Sequence, residues 1–181
     1  SSDVCSSDLF EVMSLAGTMP AGESGDWSTE LYKEQRIVSD EIVQTLSAHG
    51  AEAIHLDGPF THMAGPVQHL RSNIQFQSPQ DALFWANQLS PTPAVCGYPR
   101  AAALNWIREH EVHDRGLYAG YLGVLFPNQD AELFVNLRCM LWSAQTATLF
   151  VGGGIIAESN PAREWDETNW KSQALLAHIR P

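Results

Sequence analysis

The sequence predicts an α+β fold built on antiparallel sheets, and three observations predict it. Strand-like segments crowd the stretch from 117 to 151 at hairpin spacing. Helix-like segments flank them at 29 to 48, 79 to 89, 100 to 113 and 161 to 179. Strands and helices do not alternate regularly along the chain, which argues against a doubly wound parallel sheet.

Each element has its own local reason. Phe10 to Leu15 is a short apolar stretch running into Ala16-Gly17-Thr18, and residues 19 to 29 are rich in Gly, Pro and Ser and read as a loop. From 29 to 48, Leu31, Val38, Ile42 and Leu46 recur at helical spacing, and Gly50 follows the end. Residues 52 to 56 and 66 to 76 read as strands. The stretch "SPTPAVCGYPR" (90 to 100) reads as a loop fixed by three prolines and a glycine, and 100 to 113 as an amphipathic helix. Leu117 to Phe126, Glu132 to Trp142 and Thr146 to Val151 then read as a meander of three strands. Before the last helix, Ser159 or Asn160 suits the N-cap and Pro161 the first helical position. The opening "SSDVCSSDL" (1 to 9) nearly repeats a Ser-Ser-Asp unit without a hydrophobic period, and it reads as a non-native, adapter-like segment.

Composition narrows the function. The 181 residues suffice for one domain with a core, or for part of a larger one. A net charge of −11 argues against a nucleic-acid partner, which would draw a basic stripe. An anionic ligand would therefore need locally gathered cations or a metal. Cys5, Cys96 and Cys139 form neither CxxC nor a paired framework, so reduced thiols and a cytoplasmic location are expected. No apolar run reaches membrane-spanning length, so no membrane partner is expected.

Four constellations carry chemical possibilities. Glu164, Glu167 and Lys171 share one helix face just after Gly152-Gly153-Gly154, with Trp165 and Trp170 on positions expected to pack. They read either as a solvated face with an i,i+4 ion pair, or as carboxylates for a hard cation such as Mg²⁺ beside backbone that a ligand can approach closely. Glu34 lies on or beside the apolar stripe of its helix, as a rim residue or as an inward metal ligand. In "ELFVNLRCMLW" the alternation puts Arg138 among Phe134, Met140 and Trp142, as a solvent-facing arginine or a bidentate carboxylate clamp. Tyr118 offers a phenolic donor on the preceding strand, while His69 and Cys96 read as structural.

Several segments together resemble the chorismate-utilising enzymes: isochorismate, salicylate, anthranilate and aminodeoxychorismate synthases. They are "LAGT" (15 to 18), "EQRIVSDEI" (34 to 42), "VQHLRSNI" (67 to 74), "PTPAVCGYPR" (91 to 100), "RGLYAG" (115 to 120), "NLR" (136 to 138) and "GGGIIAESNPAREWDETNWK" (152 to 171). "PTPAVCGYPR" looks most like the isochorismate synthases of menaquinone or siderophore pathways. Glu30 departs from the lysine usual in the family. The resemblance implies stacked antiparallel sheets with helices outside, and residues 10 to 181 as the C-terminal part of a single chorismate-binding domain. Part of the sheets would then be missing, leaving exposed strand edges and apolar surface. It implies Mg²⁺ held by Glu34 and Glu167 with Glu164 close by, and a ring carboxylate met by Thr18, the Gly154 backbone and Lys171. Tyr118, Arg138 and Gly152 would hold the enolpyruvyl carboxylate, and His69 would line the pocket near the ring. The catalytic base, a lysine, and the acid, a glutamate, are expected upstream of "LAGT", so this chain alone is expected to bind weakly or not at all and not to turn over. A salicylate- or anthranilate-type activity and a non-catalytic chorismate-binding role stay open beside isochorismate synthesis. So do the pathway and the oligomeric state.

Overall fold

The computed structural model describes residues 8–22, 26–65, 67–128 and 130–177. Its first strand, β1 (Asp8–Pro20), leads into helix α1 (Thr29–Ala48), then β2 (Glu52–Ala64) and β3 (Val67–Ser78). These strands form an antiparallel sheet in the order β1-β3-β2, and α1 packs on it. Asp8 and Leu9, from the stretch read as foreign, pair with Gln77 and Ser78 at the end of β3.

The core is the meeting of one helix stripe with one sheet face. Val38, Ile42 and Leu46 recur on α1, Ile74 and Phe76 on β3, and Ala16 joins from β1. Phe76 stacks on Phe10 with centroids 5.2 Å apart and meets Trp85 edge-on at 5.0 Å. A polar seam crosses the same interface. Buried Gln35 donates to the Ser14 carbonyl at 3.1 Å and lies 3.2 Å from the Ser72 hydroxyl. Those bonds lock the rotation of α1 over the sheet, and Glu34 beside Gln35 is thereby turned to the sheet edge.

Ser28 caps α1 by accepting from the Leu31 N–H, and Gly50 follows with φ +82°. Helix α2 (Ala82–Leu89) is capped by Asp81, which accepts from the Phe84 N–H at 2.7 Å. The stretch expected as loop from 90 to 100 holds a one-turn helix, α3 (Pro93–Cys96), started by a proline that needs no N–H partner there. Helix α4 (Arg100–His110) follows, and none of its residues is buried. Its amphipathic face therefore has only partial cover, with Trp106 exposed.

The meander departs from expectation. Hairpin β4 (Tyr121–Leu125) with β5 (Ala131–Val135) and hairpin β6 (Cys139–Trp142) with β7 (Ala147–Phe150) are separate two-stranded sheets. The strand expected from Leu117 starts only at Tyr121, because residues 115 to 120 turn: the Tyr118 N–H donates to the Arg115 carbonyl at 2.8 Å. The strand expected from Glu132 to Trp142 is cut at Arg138, whose φ of +50° no regular ladder accommodates. The alternation that put Arg138 on the face of Phe134 therefore ends at that residue. Both hairpins leave apolar side chains in the open, with Leu122, Phe134 and Trp142 exposed.

The closing helix α5 (Pro161–Leu176) is capped by Asn160, whose side chain accepts from the N–H groups of Ala162 and Arg163. Residues 178 and 179, expected in this helix, lie outside the described residues, as does Cys5; Cys96 and Cys139 are free thiols. Among the described residues no helix is long and apolar enough to cross a membrane.

Ile42 is 1% exposed and sits in the middle of the α1–sheet contact. Ile42→Ala is expected to lower unfolding stability by about 2–4 kcal/mol through lost burial and the cavity left behind, read by chemical denaturation.

Candidate active site

The site begins at an irregularity in β1. Pairing with β3 runs from Asp8↔Ser78 to Ala16↔Leu70, then slips so that Thr18, not Gly17, faces His69. Gly17 takes the extra position with φ +72°. This turns the Gly17 carbonyl onto His69, whose Nδ1 lies 3.1 Å away, with the Thr18 hydroxyl at 3.2 Å. The Nε2 of the same ring lies 3.3 Å from Nη2 of Arg138. Burial, and then the positive charge of Arg138, hold the imidazole pKa below its ordinary value.

Around this junction lies a cavity of about 970 Å³. Its wall takes Thr18 from β1, Glu34 from α1 and His69 from β3. Tyr118 and Arg138 come from the two turns that interrupt the meander, Gly152 and Gly154 from the stretch after β7, and Glu164, Glu167 and Lys171 from α5. All of the sequence-derived candidates are thus brought to one cavity, although residues 18 and 171 stand at opposite ends of the chain.

The three glycines do not form a turn. Residues 151 to 156 carry no regular element, and none of the three glycines has the left-handed φ that glycine alone favours. What they lack is needed as space. A Cβ on Gly152 would stand 2.9 Å from the Tyr118 hydroxyl, and one on Gly154 would stand 3.0 Å from Oε1 of Glu34. At Gly153 the nearest atoms, the Glu167 and Glu164 carboxylate oxygens, would be 3.5 and 3.6 Å away. Three carboxylates thus converge on one bare strand.

Helix α5 turns its charges inward. Trp165 is 68% exposed and Trp170 also faces solvent, so the tryptophans expected to pack do not. The covered face carries Glu167 and Lys171, whose side chains are 19% and 13% exposed and form an ion pair at 2.5 Å. Lys171 also donates to the Gly152 carbonyl at 3.0 Å. The solvated-face reading of this pair does not hold, because the glycine strand covers it. Glu34 has its pKa raised, first by burial and further by the like charges of Glu167 and Glu164; a backbone hydrogen bond from Gly17 and the charge of Lys171 act the other way.

Oxygen donors held close, with their charge incompletely balanced, are what a hard divalent cation takes. Glu34, Glu164 and Glu167 are donors of the type Mg²⁺ takes. Among the described residues, however, no three acidic, histidine or cysteine side chains stand together closely enough to hold a metal ion. Glu167 also shares its oxygen with Lys171, so a cation would have to compete with that ammonium.

Two features escaped the sequence reading. Glu111 and Arg115 form a two-point ion pair, Nε to Oε2 at 2.8 Å and Nη2 to Oε1 at 2.5 Å, and the Arg115 guanidinium lies 5.7 Å from the Tyr118 ring centroid. The only signal was a glutamate and an arginine four residues apart beyond a helix end. His62, opposite His69 in the β2–β3 register, also lines the cavity. Burial raises the Tyr118 pKa, so the phenol keeps its proton and remains a donor. The cavity wall gathers Arg115, Arg138, Arg163 and Lys171 in a chain of net charge −11.

A family model described as "Chorismate binding enzyme" matches residues 6–180. The salicylate biosynthesis isochorismate synthase of Pseudomonas aeruginosa is 34% identical over 175 residues, 89% of this chain and 36% of that protein. The isochorismate synthase MenF of Escherichia coli is 34% identical over 172 residues, 89% of this chain and 39% of that one. The chain thus spans little more than a third of the length of these relatives. The solved structure of the menaquinone-specific isochorismate synthase MenF from E. coli superimposes with a TM-score of 0.86 at 30% identity, covering 96% of this chain and 43% of that one. The mixed fold of helices and antiparallel sheets is therefore the relatives' fold.

The glycine strand gives a discriminating pair of substitutions. Gly153→Ala meets only ordinary contacts and is expected to leave unfolding stability unchanged or raise it by less than about 1 kcal/mol. Gly152→Ala drives a methyl against the Tyr118 hydroxyl, whose ring is stacked on Phe150, and is expected to cost about 1–2 kcal/mol. Thermal unfolding of the two variants side by side checks this.

Proposed function

We propose, because this chain belongs to the chorismate-binding enzyme family, that it forms the metal- and carboxylate-holding part of an isochorismate synthase. The observation that carries the reading is the cavity itself: its wall gathers three carboxylates that converge on Gly153 and Gly154 together with Arg138, Lys171 and the Tyr118 phenol. Chorismate is a dicarboxylate, and cations, a phenol donor and carboxylates able to take a divalent cation are the groups such a ligand needs.

Glu34, Glu164 and Glu167 would hold Mg²⁺, which when bound supplies positive charge to grip the ring carboxylate and relieve the repulsion among the glutamates. Lys171, fixed by the Gly152 carbonyl, adds a second positive charge on that side, and Thr18 offers a hydroxyl. At the other end Arg138 and Tyr118 would hold the enolpyruvyl carboxylate by charge-assisted hydrogen bonds. Gly152 leaves room for the Tyr118 hydroxyl, and Gly154 for the Glu34 carboxylate, so both groups keep their places in the cavity wall.

The reaction adds a water oxygen at C2 and expels the C4 hydroxyl while the double bonds shift. The water must lose a proton to a base, and the departing hydroxyl must gain one from an acid. Of the two lysines in the chain only Lys171 lines the cavity, and it is held by Glu167 and the Gly152 carbonyl. The family resemblance implies a lysine base and a glutamate acid, and both are assigned to the part of the relatives' length that this chain does not span. The proposed setting is the cytoplasm.

Two measurements test the reading. Product analysis with chorismate and Mg²⁺, with and without ammonium, is expected to give isochorismate without ammonium from the full-length protein and no product from this chain alone. Anthranilate, or salicylate with pyruvate, from the full-length protein would move it to a sister activity. Turnover by this chain alone would overturn the assignment of the base and acid.

The second is Glu34→Gln. Burial raises the Glu34 pKa above the ordinary 4.5, so the folded state holds its proton more tightly than the unfolded chain. Its ionisation therefore costs stability, and that cost grows as pH rises through 4.5 and is complete above the folded value. Glu34→Gln is expected to unfold at a higher temperature than wild type at neutral pH without metal, and to lose Mg²⁺-dependent chorismate binding. A variant that binds chorismate with undiminished Mg²⁺ dependence would remove Glu34 from the metal site.

A further inference from the structure

Arg138 is the residue whose placement the reading above leaves unexplained. It sits at φ +50°, a conformation that a long side chain adopts only when its surroundings hold it. It lies between two hairpins that supply no core around it, with Leu137 exposed beside it. Among the described residues its one hydrogen-bond partner is Nε2 of His69, at 3.3 Å.

That contact fixes the state of the ring. A guanidinium can only donate, so Nε2 of His69 must carry a lone pair. A carbonyl can only accept, so Nδ1, at 3.1 Å from the Gly17 carbonyl, must carry the proton. His69 is therefore a neutral imidazole of one tautomer, anchored through β1 and presenting its acceptor to Arg138. The charged groups around it agree with a neutral ring: Arg138 and Lys171 oppose protonation, and Glu167 favours it less strongly. His62 stands across from it on β2.

We propose that His69 is a positioning residue for Arg138. Its Nε2 accepts one N–H of the guanidinium, which fixes the side chain's direction and leaves the remaining N–H groups open to the cavity for a ligand carboxylate. The anchor runs from the Gly17 carbonyl through the ring to Arg138, so the irregular pairing of β1 sets the aim of a side chain on a distant turn. This rests on the reading of Arg138 as a carboxylate clamp.

Two measurements test it, the first on this chain. Proton–nitrogen correlation spectra of the free protein report the His69 tautomer, the ring signal being assigned by its disappearance in His69→Phe. The proton is expected on Nδ1 at neutral pH, and Arg138→Gln is expected to shift the Nε2 resonance or mix the tautomers. A proton on Nε2 in wild type, or a ring spectrum that ignores Arg138→Gln, would overturn the proposal.

The second is calorimetric titration of chorismate with Mg²⁺ into the full-length protein as wild type, His69→Phe, Arg138→Gln and the double variant. Losing one hydrogen bond to a charged group is expected to weaken binding about tenfold in His69→Phe. The double variant is expected to bind no more weakly than Arg138→Gln, since His69 would have nothing left to position. Losses that multiply would show two independent contacts and overturn it. If wild type binds no chorismate, the functional reading falls while the tautomer measurement still decides the role of His69.

Discussion

One backbone irregularity sets much of this site. At Gly17 the β1–β3 pairing slips by a residue, and the peptide groups around it turn toward the cavity. The Gly17 carbonyl meets His69, its backbone hydrogen-bonds to Glu34, and Thr18 is brought opposite His69. A Cβ at Gly17 would stand 3.3 Å from the Leu31 Cβ, so the helix presses against the kink where a side chain would project. In a regular ladder the β1 carbonyls lie in the sheet plane, toward the β3 N–H groups or out at the free edge, whereas side chains such as that of His69 stand off the plane. The bulge gives up one rung of the ladder and gains a fixed acceptor.

The second constraint is electrostatic. In a chain of net charge −11, three glutamates converge on the glycine strand, and only Lys171 among the lysines stands with them. Burial first, and then the like charges of Glu167 and Glu164, raise the cost of ionising Glu34, which its raised pKa expresses. A free surface would let such side chains part. Here α5 is held by its Asn160 cap and by the Lys171 bond to the Gly152 carbonyl, and its carboxylates stay aimed at one point. Stability is traded for carboxylates held close together.

Rigidity is unevenly distributed. The sheet β1-β3-β2 with α1 carries the packed core and the polar seam of Gln35, whereas both later hairpins and α4 leave apolar groups in the open. Thr18, Glu34 and His69 stand on the packed side. Tyr118 and Arg138 stand on the turns of the looser side, and each is held by side-chain contacts: Tyr118 stacks on Phe150 with centroids 5.6 Å apart and lies under Arg115, and Arg138 meets His69. Those contacts supply in the looser half the order that packing supplies in the other.

The sequence by itself determined the pieces. The ends of α1 and the start of α5 were legible because the signals are local: apolar spacing with Gly50 just beyond it, and Asn160 with Pro161, act within a few residues of themselves, whereas the Ser28 cap came from the structure. The candidate residues were legible because motif order along the chain reflects the family, and the chain belongs to it. The break at Arg138 was not legible, since alternation of apolar residues continues through it and nothing in residue type announces a positive φ. Nor was the facing of α5, where periodicity marks two faces without saying which is covered, and the tertiary structure covers the charged one. The tautomer of His69 lay further still from the sequence. It depends on a carbonyl from residue 17 and a guanidinium from residue 138 reaching opposite sides of one ring, and only the folded chain brings them there.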